Sequence, residues 1–322
     1  MLTPPLDSIR AALTALEYAN DSRALLYMAD DRSPKTLDEE DVPALYEHLQ
    51  AIGPLARLDL VLHTNGGRVN TARKIALLLR SVAKHVEVYI PYKARSAGTL
   101  LCLSADRIVM GPLAELSPLD PQVLPSSDQA RAGGQSISTE NIRALRRLAE
   151  EWFGLESSEQ RLQVFQTLCE RVFPLSLGTF FRADQQMRQI ALELLGYHLP
   201  ERDTAERQRI VDQLVSGYHA HDYCITQPEA QQLGLHAVAA PATLAAQLWR
   251  MLQACYRWSA DSALLVPDQP VIEPIDSMIV TTSGASIHVT PVIQASGGAA
   301  ARSASESRLS VGASYWRMLE AS

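Results

Sequence analysis

The feature that most constrains this chain is the regular alternation of short β-type runs with amphipathic stretches over its first 125 residues. Strand-like runs are 24–29 (ALLYMA), 58–64 (LDLVLHT), 86–91 (VEVYIP) and 107–110 (RIVM). Helical stretches at 39–51, 69–83 and 96–105 fall between them. Such alternation predicts an α/β fold with a mostly parallel sheet covered by helices. From about Ser138 the pattern turns to helix after helix, with capping-box patterns at Ser157/Gln160, Asp203/Glu206 and Thr226/Glu229. The expected organisation is an α/β core over 1–125, a helical insertion over 126–217, a return to the core with a last helix over 218–260, and a tail over 261–322. The stretch 125–135 (PSSDQARAGGQ) reads as a mobile loop and 294–306 (QASGGAAARSASE) as a small-residue linker. A β-hairpin around Ser283-Gly284 is expected within 276–292, and the terminal SYWRMLEAS reads as a docking helix or as no element.

Composition removes several function classes. A net charge of −7 recruits neither nucleic acid nor an anionic membrane. No stretch approaches the roughly 18 uninterrupted apolar residues of a membrane span, and the first 20 residues lack a secretory pattern, so a cytoplasmic location is expected. Cys102, Cys169, Cys224 and Cys255 show no CxxC or zinc-finger spacing and read as buried, reduced thiols. No P-loop, dinucleotide fingerprint or metal triad is present, so no cofactor is expected. Trp152 and Phe153 read as plugs of a helix interface, and Arg143–Arg147 as a solvated face with salt bridges or a partner contact as the alternative.

Two segments sit where an α/β sheet places chemistry, at the C-terminal ends of strands. His63-Thr64-Asn65-Gly66-Gly67 follows one strand and precedes a helix. Paired glycines there allow a sharp turn with outward amides, suited to an anion or a developing oxyanion, although a plain strand-to-helix turn uses the same residues. Lys93-Ala94-Arg95-Ser96-Ala97-Gly98-Thr99 follows the next strand and opens a helix. A serine there is an N-cap in most chains. With small neighbours on both sides it is also an accessible nucleophile, with the Ala97 amide beside the Gly66-Gly67 turn as an oxyanion hole.

HTNGG followed by PYKARSAGTLLCLSADRIVMGPLAELSPLDPQ resembles the serine dehydrogenase proteinase family, related to the Clp proteolytic subunit and to signal peptide peptidase A. The resemblance covers about 58–122 and resumes weakly over 219–235 (HAHDYCITQPEAQQLGL). It implies a crotonase-like spiral of ββα units, Ser96 as nucleophile and a homo-oligomer. The Clp pattern has its histidine downstream of the serine, where this chain reads Leu116-Ser117-Pro118-Leu119-Asp120-Pro121. His219 and His221 instead lie where the Clp subunit carries its Asp. The exchanged arrangement implies Ser96, His221 and Asp120 as a triad, with His219 as the alternative base, since a triad is defined by geometry and role. Asp120 also reads as a turn carboxylate, and His221 as a surface histidine. Signal peptide peptidase A raises a Ser-Lys dyad, for which Lys93 is the nearest lysine, whereas Lys74 and Lys84 read as helix-surface solubilisers.

The expected activity is that of an ATP-independent serine endopeptidase acting on peptides or unfolded protein. A crotonase-type acyl-CoA enzyme and a catalytically silent scaffold are the alternatives. A partner protein bound through the tail after Asp261 is compatible with the first and the last.

Overall fold

The computed structural model describes residues 4–123, 137–261, 264–265, 271–294, 309–311 and 313–319. The expected loop at 125–135 and the linker from 295 to 306 lie outside them. The chain divides into two compact units, Met1–Leu116 with Leu194–Pro200 and Cys224–Ser322, and Ser117–Glu193 with Glu201–Tyr223.

In chain order the elements begin α1 Pro4–Asn20, β1 Arg23–Ala29, α2 Asp41–Ile52, β2 Leu55–His63, α3 Val69–Val82, β3 Ala83–Ile90, β4 Lys93–Ala94, α4 Ala97–Cys102, β5 Arg107–Met110 and β6 Glu115–Leu116. The second unit supplies β7 Gln122–Val123, β8 Ile137–Ser138, α5 Thr139–Arg147, α6 Ser158–Arg171, most of α7 Pro174–His198 and α8 Thr204–Ser216. The first unit resumes with α9 Gln227–Gln232, β9 Ala237–Ala239, α10 Ala242–Asp261, β10 Leu264–Leu265, β11 Val271–Glu273, β12 Ile275–Thr281, β13 Ala285–Val289, β14 Val292–Gln294, β15 Leu309–Val311 and β16 Tyr315–Leu319.

The expected α/β class is what the first unit shows. Its main sheet has eight strands in the order β16-β13-β12-β1-β2-β3-β5-β9. β1, β2, β3, β5 and β9 run parallel, joined by the helical crossovers that parallel pairing requires. Tyr27 and Met28 show how the faces divide, since successive side chains along a strand point to opposite sides. Met28 shares one buried cluster with Leu26, Val61 and Tyr89 of the sheet, Ile9 and Leu13 of α1, and Leu252, Cys255 and Trp258 of α10. Tyr27 faces the other way and donates its hydroxyl to Asp41 of α2 at 2.9 Å.

The tail contributes to this sheet. β12 pairs antiparallel with β1, from Leu25↔Thr281 to Ala29↔Ser277, and turns through Ser283-Gly284 into β13 as the hairpin pattern predicts. The terminal SYWRMLEAS is no docking helix: Tyr315–Leu319 is a strand paired antiparallel with β13. Its partners along β13 are buried and include the β-branched Ile287 and Val289, and local helix propensity does not outweigh pairing with them.

In the second unit α5 runs into a π-helical turn, Leu148–Trp152, followed by α6, whose Ser157/Gln160 capping box forms as expected. Asp203 caps α8 through the Glu206 amide at 2.8 Å. In the first unit Glu229 reaches back to the Thr226 amide at 2.9 Å. Trp152 and Phe153 are not interface plugs, being 80% and 67% exposed. The arginines of α5 form salt bridges, Arg143 with Glu140 and Asp184, Arg146 with Glu150 and Arg147 with Glu140. Only Cys102 and Cys255 are buried; Cys169 is half-buried and Cys224 exposed, and all four are free thiols. Lys74 projects from α3 to Glu39, while Lys84 lies near the start of β3 and not on a helix.

Candidate active site

Thr64 is the hub of the first unit's candidate site. Its amide donates to the Lys93 carbonyl at 2.9 Å and its carbonyl accepts from the Arg95 amide at 3.1 Å. The ribbon leading to Ser96 is thereby laid beside the end of β2. The Thr64 hydroxyl oxygen accepts the Gly66 amide at 3.1 Å. Gly66 therefore serves the turn through its missing side chain, while its donor is engaged locally. A Cβ on Gly66 would lie 2.8 Å from Ser96 Cβ and 2.9 Å from the Arg95 carbonyl, so only glycine permits this approach. Gly66 and Gly67 also take φ values of 112° and 148°.

Ser96 precedes α4, as the N-cap reading requires, but it makes no side-chain cap hydrogen bond to that helix. Its backbone lies at φ 49° and ψ −114°, a conformation that costs an L-residue about 1–3 kcal/mol and persists where the surroundings over-determine it. Ala97 and Gly98, the next two residues, are buried, and a Cβ on Gly98 would meet the Thr64 methyl at 2.6 Å. Ser96, Ala97, Gly66 and Gly67 thus belong to one constellation at the C-terminal ends of β2 and β3, where open α/β sheets place ligands.

Lys93 is engaged elsewhere. Its ammonium lies 2.7 Å from Asp31 Oδ2 and 4.5 Å from the centre of the Tyr92 ring. Arg95 pairs with Glu115 at 2.5 Å.

The second unit holds the other predicted residues. Asp120 is buried, and its Oδ1 accepts from the Thr139 hydroxyl at 3.1 Å and the Glu140 amide at 3.2 Å, at the start of α5. Its Oδ2 lies 3.7 Å from His221 Nδ1. His221 is half-buried, with Nδ1 shielded from solvent. His219 is exposed, on a hollow that Trp152 also lines. The structure therefore brings His221, not His219, to Asp120.

Sequence reasoning missed Asp31 and Tyr256, which join His63 and Lys93 in one hydrogen-bonded network. Asp31 adjoins the end of β1, and Tyr256 falls in the apolar run of α10, more than 200 residues away. No local pattern links them. Burial pushes the His63 imidazole down to about 4, against the opposing pull of Asp31. Among the described residues no group of three or more His, Cys, Asp or Glu side chains could hold a metal ion. Nor is any described helix long and apolar enough to cross a membrane.

Residues 37–131 match the sequence model of a family described as ClpP-like SDH-type serine proteinase. The uncharacterized protein MJ0137 of Methanocaldococcus jannaschii is 28% identical over 201 residues, covering 62% of this chain and 60% of the relative. The uncharacterized protein MJ1495 of the same organism is 29% identical over 178 residues, covering 55% of this chain and 51% of the relative. This chain thus spans little more than half the length of the curated relatives it matches. A solved mutant of 1510-N membrane-bound stomatin-specific protease, in complex with a substrate peptide, aligns at 16% identity and a TM-score of 0.37, covering 64% of this chain and 71% of that one. The likeness of this chain to the ClpP-like SDH-type serine proteinases therefore resides in residues 37–131, the stretch that contains the glycine turn, Ser96 and Asp120.

Proposed function

We propose that this chain is an ATP-independent serine endopeptidase that cleaves peptides or unfolded protein through an acyl-enzyme on Ser96. The observation that carries the reading is the strained backbone of Ser96 set directly against Gly66, in the segment that matches the serine proteinase family. In the mechanism His221 takes the Ser96 proton as Oγ attacks the scissile carbonyl carbon. Asp120, anchored by the start of α5, orients His221 and stabilises its imidazolium. The Gly67 and Ala97 amides hold the oxyanion, His221 returns the proton to the leaving amine, and water attacks the acyl-enzyme in a second round. A homo-oligomer, from the family resemblance, is the working form that accompanies this reading, and the cytoplasmic location expected from the sequence goes with it.

Fluorophosphonate labelling read by intact mass tests the proposal. A single adduct on the wild-type chain, absent from Ser96→Ala, is expected. A wild-type protein that takes up no probe would sink the peptidase reading and leave the non-catalytic binding protein in its place. The choice of base has its own test. His221→Ala is expected to lower the labelling rate roughly 10²-fold, the lower end for a general base. His219→Ala should stay near the wild-type rate, and the reverse order would reassign the base.

A further inference from the structure

One carboxylate holds Lys93 at two points. Asp31 Oδ2 lies 2.7 Å from the Lys93 ammonium. Asp31 Oδ1 accepts from the Tyr256 hydroxyl at 2.8 Å, the Tyr256 oxygen lies 2.9 Å from His63 Nε2, and His63 Nδ1 lies 3.2 Å from the Lys93 backbone nitrogen. The direction of every bond follows from chemistry. A backbone amide only donates, so Nδ1 carries no proton and the neutral ring carries its proton on Nε2. That proton points to the Tyr256 oxygen, and the Tyr256 proton goes to Asp31. The ring is buried and stacks on Tyr92 with centroids 5.8 Å apart, which fixes its plane.

What this relay grips is the root of the nucleophile ribbon. Lys93 starts β4, and Arg95 and Ser96 follow it immediately. Thr64, the neighbour of His63, bonds the same ribbon through the Lys93 carbonyl and the Arg95 amide. A backbone held at φ 49° relaxes unless both sides of it are tied down. α4 ties the far side, through the Leu100 amide to the Ser96 carbonyl at 2.9 Å. The near side ends at Lys93.

We infer that the Asp31–Tyr256–His63 relay is a positioning device for the nucleophile, clamping the Lys93 backbone so that Ser96 is held in its strained conformation. The inference rests on Ser96 being the nucleophile. None of the three is assigned a contact with substrate or reacting atoms, so they are positioning residues. His63 is buried and Asp31 and Tyr256 are half-buried, so an unmet polar group in this chain would be costly, and each donor named above has its acceptor.

The test is the kinetics of fluorophosphonate labelling of the full chain, resolved into the maximal rate and the concentration at half-maximal rate, with a thermal midpoint for each variant. Tyr256→Phe and His63→Leu are expected to lower the maximal rate by roughly 10- to 100-fold, as a misplaced reacting group does, with half-saturation within about twofold. His63→Asn, whose amide oxygen can replace Nδ1 as acceptor for the Lys93 amide, should recover most of that loss. Should His63→Leu fail to fold, Tyr256→Phe removes one hydroxyl only and carries the comparison. Thermal midpoints that fall together while the maximal rate stays at the wild-type value would overturn the positioning role and leave the peptidase reading intact. A wild-type protein that does not label would overturn both.

Discussion

Gly66→Ala is expected to slow Ser96 labelling about 10³-fold, equivalent to roughly 4 kcal/mol at the transition state. The added methyl would stand 2.8 Å from Ser96 Cβ and 2.9 Å from the Arg95 carbonyl, closer than real Cβ contacts allow. At φ 112° the alanine is also strained in itself. Relief requires the turn and the Ser96 ribbon to part, which displaces Ser96, the proposed nucleophile, together with the Gly67 and Ala97 amides proposed as oxyanion donors. Misplacing a reacting group costs about 10²-fold, and losing an oxyanion donor about 10²–10³-fold, without full additivity. Gly53→Ala is the control. It too has a positive φ, 78°, but nothing lies within 4 Å of its added methyl. It should lose about 1 kcal/mol of stability and label normally. Gly67→Ala should fail by folding, because its methyl would meet the Leu37 backbone at 2.2–2.8 Å. Equal labelling rates for wild type and Gly66→Ala would show that the turn plays no part in reactivity.

The second large effect is loss of stability in mild acid. Burial depresses both His63 and His198 to about 4 in the folded chain. His198 is locked as a neutral ring, its Nδ1 bonded to the Ala105 carbonyl at 2.5 Å and its Nε2 accepting the His236 amide at 2.9 Å. Unfolded, each histidine titrates near 6.5. Between about 6.5 and 4 the unfolded chain therefore binds more protons than the folded one, so stability falls as pH falls through that window. At pH 5 each histidine costs roughly 2 kcal/mol relative to pH 8, and His48, also lowered by burial, adds to the loss. Further down, Asp30, Asp31, Glu40, Glu87 and Asp276 act in the same direction. Hydrogen bonds and cationic neighbours hold each below its ordinary value despite burial, so their stabilisation disappears as they protonate. Urea midpoints at pH 8, 6 and 5 measure the effect. A midpoint unchanged between pH 8 and pH 5 would show that His63 and His198 are not buried neutral in solution.

Local sequence determined most of the α/β elements around the site and the two segments on which the peptidase proposal rests. The strand Arg107–Met110 stands where RIVM predicts it, and α3 starts at Val69 as expected. Short-range physics suffices there, because alternation, helical periodicity and caps act within a few residues. The Gly66-Gly67 turn and Ser96 were legible for the same reason, each following a strand and opening a helix. Tertiary structure decided what no local pattern specifies. Tyr315–Leu319 became a strand because β13 offers an edge, an interaction between segments distant in sequence. Asp120 turned Oδ2 toward His221 because the start of α5 takes Oδ1, which distinguishes His221 from His219, the alternative base of the sequence reading. Asp31 and Tyr256 carry no motif at all. They meet His63 because β1 and β2 lie side by side in the sheet and α10 packs across its face. Hydrogen bonds between side chains 193 and 225 residues apart depend on that packing, and a sequence read locally holds no record of it.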